Sequence, residues 1–300
     1  VTTAERARGT PRVVVIGGGR GLTATVRAAR RYAGHTTAVV TTADDSGSTG
    51  RLRASMSIPA PGDIRRCLLA MAGVEDDPIG RAFEYRFPGT DLDGHALGNL
   101  VLAGLATVRG GFTEGVGELA ALLGVHPDSA QVFPATVDQV GLRATTVDGQ
   151  EVVGQYAVSQ TAGLHRVALD PPGCGAPDGV VDAILRADQV VMGPGSVYTS
   201  VLAAALVPDV FAALNATAAR KVYVCNLEPE RAETTGYDVA AHVAALMDHG
   251  VKPDLVLVSS GGALPLDDVK IDVVQAPLAL PDGITHDSVG LAAALAGLLP

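Results

Sequence analysis

The stretch "VVVIGGGRG", Val13–Gly21, decides how the rest of the chain is read. Four β-branched residues run without polar interruption into three glycines. Unbroken apolar runs of this kind mark strands buried on both faces, so Arg12–Ile16 is predicted as a parallel strand. The glycines let backbone amides come close to an anion, and a helix start just beyond them favours negative charge. "LTATVRAARRYAG" follows with helical apolar spacing and closes on Gly34, and "TTAVVTT" reads as a second strand. The N-terminal part is therefore β-loop-α-β.

The second strand leads into "TTADDSGSTGR", Thr41–Arg51, with two adjacent carboxylates, glycines and hydroxyls. A dinucleotide site, a metal–nucleotide site and a tight structural turn all fit this pair of segments. The strict dinucleotide fingerprint needs glycine or alanine where Leu22 stands, and no Lys-Ser/Thr pair follows to make a P-loop. Asp44 and Asp45 are neighbours on an extended segment, so their side chains point to opposite faces and cannot do the same job. One is expected to meet a ribose or a hydrated cation while the other braces the turn; an Asx-turn followed by a solvated "SGSTG" loop is the alternative. Arg51 and Arg53 are available to neutralise phosphate or serve as surface charge.

Farther along, "PAPGDIRRC" places Asp63 at a helix start, where an N-cap role is expected. "GHALGN", Gly94–Asn99, sets small residues, a His and an Asn just before an apolar helix, a pattern that suggests close backbone approach to a ligand. "GPGSVYTS", Gly193–Ser200, is a second strand-to-helix loop, expected at the carboxyl edge where open α/β sheets bind ligands. Asn226, at the end of "VYVCN", and Glu233–Thr234 are expected to line that edge or form turns. The sequence holds no G-x-S-x-G elbow and no H-E-x-x-H pair.

Composition narrows the function classes. The chain has 300 residues, 47% hydrophobic and 18% charged, with a formal net charge of −10. That balance disfavours a nucleic-acid groove, which needs a basic stripe, and leaves room for a local nucleotide pocket. Three cysteines without a CxxC spacing read as reduced thiols of a cytoplasmic protein. The first residues lack the apolar core of a signal peptide, and no apolar stretch is long enough for a membrane span.

Strands "ADQVVMGPGS", "ARKVYVCNL" and "PDLVLVSSGG" alternate with alanine-rich helical patterns, which predicts an α/β fold with a doubly wound, mostly parallel sheet. Helices are expected in "PGDIRRCLLAMAG", in "LGNLVLAGLATVRGGFTEGVGELAALLG" and over Val180–Ala187. "TTVDGQEVVGQYAVSQ" is expected to be a β-hairpin about Asp148–Gly149. The organisation expected is a single domain over residues 1–300, with an inserted helical and β-hairpin layer and residues 1–11 as a flexible tail.

Taken in order, "VVVIGGGRGL", "TTADDSGSTGRLR", "PAPGDIRRCL", "FEYRF", "GHALGNL", "VFPAT", "VMGPGSVYTSV" and "CNL" closely resemble the YvcK-like family of gluconeogenesis factors. That family is related to the CofD family of 2-phospho-L-lactate transferases. The resemblance runs from about Pro11 to "THDSVGLAAAL". It implies a Rossmann-like fold in a cytoplasmic bacterial protein that binds UDP-sugars such as UDP-N-acetylglucosamine and is linked to cell shape, cell-wall precursor metabolism and gluconeogenic growth. The alternative it implies is a CofD-like transferase using a nucleoside-diphosphate-activated donor and a divalent cation such as magnesium. Carried over by motif position, the nucleotide site comprises Gly17, Gly18, Gly19, Gly21, Asp44, Asp45, Asn99, Gly193, Gly195, Ser196, Thr199 and Asn226. Asp45 and Asp63 are the candidate metal ligands. A nucleotide sugar or nucleoside diphosphate is the expected partner; no flavin, haem, zinc or nucleic acid is expected, and a homo-oligomer is allowed. The chain departs from the family pattern at Arg20, at "LAAALV" after "VYTSV", at "EPERAET" after "CNL" and at Thr285, positions that bear on how the ligand is held and on its sugar end.

Overall fold

Alternate residues of the strand Arg12–Gly17 (β1) enter two different hydrophobic cores. Val13 and Val15 pack on one side of the sheet, Val14 and Ile16 on the other. This is why the run carries no polar residue: a strand covered on both faces has no solvent side. The computed structural model describes residues 10–89 and 91–300. Of the expected tail, residues 1–9 lie outside the described residues. Pro11 is anchored, its carbonyl accepting the Gly34 amide at 2.9 Å.

The strands that follow in the chain are β2 (His35–Val40), β3 (Ala130–Pro134), β4 (Gly141–Thr146), β5 (Glu151–Val153), β6 (Leu164–Asp170), β7 (Gln189–Met192), β8 (Arg220–Val224), β9 (Leu255–Ser259) and β10 (Asp272–Ala276). Seven form one sheet in the order β10-β9-β8-β7-β1-β2-β3, with every pairing parallel. The doubly wound, mostly parallel sheet expected from the sequence is therefore present. The chain leaves β1 toward β2 on one side, whereas β7 adds on the other. The carboxyl ends of β1 and β7 thus form the switch point where such sheets open a crevice. In register, Ile16 faces Met192 and Gly17 faces Val40, so the loops after β1 and β7 leave the same edge side by side.

Helices α1 (Gly19–Tyr32), α2 (Gly47–Met56), α3 (Gly62–Ala72), α4 (Pro78–Glu84), α5 (Leu97–Arg109) and α6 (Phe112–Leu122) occupy the first half of the chain. Leu22, Val26, Ile64, Leu68, Leu102 and Leu119 from this group pack on the Val13/Val15 side. The opposite core takes α8 (Asp178–Leu185), the π-helical turn Val197–Leu202 with its short continuation α9 (Ala203–Ala205), α10 (Pro208–Ala216) and α11 (Val239–Asp248). The closing helix α12 (Ser288–Ala296) returns to the first side through Leu291 and Leu295.

The inserted layer is a small antiparallel sheet, β5-β4-β6, whose Leu142, Ala144, Val167 and Leu169 cover the second core. The expected hairpin forms, with Ala144 opposite Val152, but its second arm stops at Val153. Gln155–Ser159 is a short helix, α7, rather than more strand. The reason is tertiary: Asp45, distant in sequence, accepts the amides of Gln155 and Tyr156 at 2.8 and 2.9 Å and so caps that turn. The "SGSTG" segment likewise is not a loop but the start of α2.

All three cysteines are buried free thiols. Among the described residues no single helix is long and apolar enough to cross a membrane.

Candidate functional site

The two glycine-rich loops touch. A Cβ on Gly21 would stand 2.3 Å from the Pro194 carbonyl oxygen, and one on Gly18 would stand 2.5 Å from Thr41 and 2.7 Å from Asp63. The glycines are thus required in part by the protein's own packing: α1 begins directly against the Gly193–Ser196 loop. Thr25 ties the two further, donating from its hydroxyl to the Gly193 carbonyl at 2.8 Å, while the Gly193 amide donates to Ile16 O at 3.0 Å.

A helix leaves its first backbone amides without intrahelical partners. At α1 the Gly19 amide is taken by Asp63 Oδ2 at 2.7 Å, and among the described residues the amides of Arg20 and Gly21 have no partner. Asp63 was expected to cap its own helix. It sits instead in the first turn of α3, makes no cap bond there, and reaches across to α1 while pairing with Arg66 through its other oxygen. A carboxylate satisfies a helix N-terminus whether it belongs to that helix or to a neighbour.

Three adjoining cavities surround this α1 terminus. One of about 460 Å³ lies over Arg20, Gly21, Arg27 and Arg66, with Glu75, Glu84 and His286 on its rim. A second of about 300 Å³ is walled by Gly19, Thr41, Asp44, Asp63, Ser196 and Thr199 and shares Arg66 with the first. The third, about 180 Å³, lies between Gly21, Gly195, Asn226, Glu230 and His286. Of the nucleotide-site residues carried over by motif, Gly19, Gly21, Asp44, Gly195, Ser196, Thr199 and Asn226 line these cavities, as does the candidate metal ligand Asp63. Gly17, Gly18 and Gly193 lie behind the walls and shape the loops.

Asp45 and Asn99 are on none of the three walls. Both oxygens of Asp45 receive backbone amides of α7, so Asp45 is the bracing partner of the acidic pair. Asp44 is the one that reaches the cavity, with Oδ1 holding the amide and hydroxyl of Ser46 in an Asx-turn at 2.9 and 2.7 Å. Asp45 and Asp63 therefore do not face one cavity as a ligand pair; Asp44 and Asp63 do. Among the described residues no cluster of three or more His, Cys, Asp or Glu is arranged for a metal. The donor set at Asp44, Asp63 and the nearby hydroxyls suits a hydrated magnesium ion, which binds through one or two carboxylates plus the phosphates of its ligand.

Asn99 lies beneath the site. Its Oδ1 accepts a bond from the guanidinium of Arg65, whose side chain is wholly buried and meets Glu84 through two further bonds of 3.0 and 2.9 Å. Burial lowers the Arg65 pKa, and the Glu84 carboxylate opposes that shift. The small residues of "GHALGN" do mark a close approach, but to the protein itself: a Cβ on Gly98 would meet Arg65 Cδ at 2.5 Å and Phe83 Cδ1 at 2.6 Å. Glu84 lines the 460 Å³ cavity, so Asn99 is linked to that cavity through Arg65 and Glu84.

The loop after β7 is held from below by acids. Glu233, 1% exposed, accepts the amides of Tyr198 and Thr199 at 2.8 and 3.3 Å and the Thr199 hydroxyl at 2.7 Å. Burial pushes its carboxyl up to about 7. Glu230 pairs with the Ser196 hydroxyl, and burial raises its pKa as well. Asn226 Oδ1 accepts the Gly195 amide at 2.9 Å. Arg66, Glu230 and His286 were not singled out from the sequence. Only the "HD" pair near the C-terminus offered a local signal for the last.

Comparison with known proteins agrees with this architecture. The family model described as 2-phospho-L-lactate transferase CofD matches residues 13–276. A gluconeogenesis factor of Halalkalibacterium halodurans is 40% identical over 250 residues, covering 82% of this chain and 76% of that protein. The chain belongs to the CofD-like family of gluconeogenesis factors, the YvcK family. Another gluconeogenesis factor, from Bacillus subtilis, is 39% identical over 241 residues, covering 80% of this chain and 75% of that protein. A crystal structure of a UPF0052-family protein from Bacillus halodurans superposes with a TM-score of 0.89 at 34% identity, covering 96% of this chain and 99% of that one. Family membership thus extends over the sheet, both glycine loops and the inserted layer.

Proposed function

We propose that the cleft binds a nucleoside-diphosphate sugar of the UDP-N-acetylglucosamine class. In this reading the protein is a regulator responding to that ligand, linked to cell shape, cell-wall precursor metabolism and gluconeogenic growth in a bacterial cytoplasm. The observation that carries it is the direct contact of two strand-to-helix loops at the switch point, with the Arg20 and Gly21 amides unpaired among the described residues beside Arg66. First-turn amides and a local cation are what a diphosphate needs. Arg20, exposed and without an ion-pair partner among the described residues, adds charge at the same mouth.

A second reading, a CofD-like transferase, is favoured by one specific feature: Asp44 and Asp63 share a cavity with Gly19 and the hydroxyls of Ser196 and Thr199. A bound divalent cation there supplies charge stabilisation for a departing phosphate. Asp44 would hold it, and Ser196 and Thr199 would orient the diphosphate.

Calorimetric titration with UDP-N-acetylglucosamine, GDP and NAD, each with and without magnesium, tests both. Regulation predicts saturable uridine-nucleotide binding that Asp44→Asn alters only in degree. A transferase predicts magnesium-dependent turnover that Asp44→Asn abolishes. No uridine-nucleotide binding up to millimolar concentration overturns the first reading.

A further inference from the structure

The small sheet of the inserted layer is tied to the larger half of the protein along β6. Among the described residues β6 pairs with β4 on one edge and with no strand on the other. Buried backbone groups left over at such an edge need partners, and two side chains of the larger half supply them. The Val167 amide donates to His249 Nε2 at 2.9 Å, and the Leu164 carbonyl accepts the Tyr198 hydroxyl at 3.2 Å. All four residues are buried.

The protonation state of His249 follows from its two bonds. It closes α11, and its Nδ1 lies 2.7 Å from the carbonyl oxygen of Ala245, one of the last carbonyls that the helix leaves without an internal partner. A carbonyl only accepts, so Nδ1 carries the hydrogen. An amide N–H only donates, so Nε2 is bare. Together the two bonds require the neutral imidazole. A proton on Nε2 sets one N–H against another, and the bond to Val167 is lost.

Tyr198 packs edge-on against the ring, with centroids 5.9 Å apart. The charged and titratable groups facing it are Arg166 and His165 from β6 and Asp248 from α11. Burial is the largest influence and lowers the His249 pKa; the Ala245 bond and Asp248 raise it, while Arg166 and His165 lower it further. With the folded value below the ordinary 6.5, the bond is fully present above that pH and is lost progressively as pH falls below it.

The same bond bears on the site from two directions. Tyr198 belongs to the loop after β7, next to Thr199 on the wall of the 300 Å³ cavity. In the inserted layer, α7 brings Gln155, Tyr156 and Ser159 to that cavity, and the Gly154 amide ties this turn to β4 through the Leu142 carbonyl at 2.7 Å. We propose that His249 is a proton-operated latch: when Nε2 takes up a proton, β6 is released from the end of α11, and the wall that the inserted layer gives to the cavity loosens. The latch acts whatever ligand the cleft binds.

Two measurements on the unchanged protein test it without a ligand. Nitrogen-15 shifts of the His249 ring at pH 7.5 are expected to report the neutral Nδ1–H form. Hydrogen-exchange protection of the Val167 amide, taken relative to β1 so that changes in global stability cancel, is expected to fall by about tenfold between pH 7.5 and pH 5, in step with the titration of the ring. His249→Gln keeps an acceptor that does not titrate and should hold its relative protection across that range. His249→Phe, with no acceptor, should be poorly protected throughout. An Nε2–H ring at neutral pH overturns the proposal, as does Val167 protection that stays level while His249 titrates. An equal fall in His249→Gln also overturns it, by placing the pH dependence elsewhere. Where a variant does not fold, the two measurements on the unchanged protein decide.

Discussion

Asp63 Oδ2 accepts the amide of Gly19 at 2.7 Å, so a carboxylate from α3 already stands where an anionic ligand would meet the start of α1. This bond stabilises the start of α1 and competes with a bound phosphate. Asp63→Ala is expected to lower stability by about 1 kcal/mol, the usual effect of losing a helix cap, read by urea denaturation. Asp63→Asn retains an acceptor for Gly19 but removes the charge. Without magnesium it is expected to tighten nucleoside-diphosphate binding several-fold, because a nearby like charge in a partly solvated site contributes on the order of 1 kcal/mol. If Asp63 instead serves a cation, the same variant weakens binding in the presence of magnesium, so paired titrations separate the two roles.

Glu233 is expected to leave a signature in the pH dependence of stability. Burial raises its carboxyl to about 7 from an ordinary 4.5, aided by the nearby Glu230 and opposed by the bonds from Thr199 and Tyr198. Between those two values the folded chain binds a proton that the unfolded chain lacks. Stability therefore falls as pH rises through that window and levels off above it. Glu230, also raised by burial, acts in the same direction. Calorimetric Tm values between about pH 5 and about pH 7.5 should decline less steeply in Glu233→Gln, whose amide imitates the protonated acid. Parallel curves for the two proteins would show that Glu233 is not the group responsible.

The parts of this fold that were legible in the sequence are those whose physics is local. β1, β7, β8 and β9 carry short apolar runs, and β2 a buried threonine–valine run, because both faces are covered. β10, at the sheet edge with Asp272 and Val273 exposed, and β6, carrying His165 and Arg166 outward, have no such run and did not stand out. The glycine loops were legible because strand, glycines and helix follow one another directly. What those glycines approach was not. Gly21 meets Pro194 and Gly98 meets Arg65, partners that local spacing cannot specify. The same limit explains the acids. Asp44 and Asp45 were expected to take different roles as neighbours on a strand; they lie beyond the end of β2, and the bracing role of Asp45 depends on α7, more than a hundred residues away. Asn99 looked ligand-facing for a comparable reason: its small neighbours report crowding without saying what crowds them.

Gly21 provides the sharpest check on how the two loops cooperate. A Cβ there would sit 2.3 Å from Pro194 O and 2.6 Å from its carbonyl carbon. These are backbone atoms, which cannot swing aside as the end of a flexible side chain can. Gly21→Ala must therefore part the α1 start from the Gly193–Ser196 loop. The expected cost is about 2 kcal/mol, in the range of overpacking substitutions, with at least tenfold weaker nucleotide binding because the unpaired amides and the Ser196 wall separate. Gly104 is the control. It is exposed within α5, and a Cβ there meets nothing within 4 Å. Gly104→Ala is expected to stabilise the protein by about 0.5–1 kcal/mol through helix propensity alone, with unchanged affinity. Urea denaturation and calorimetry on both variants decide the matter. Wild-type affinity in Gly21→Ala would show that the contact between the loops shapes the fold without shaping the site.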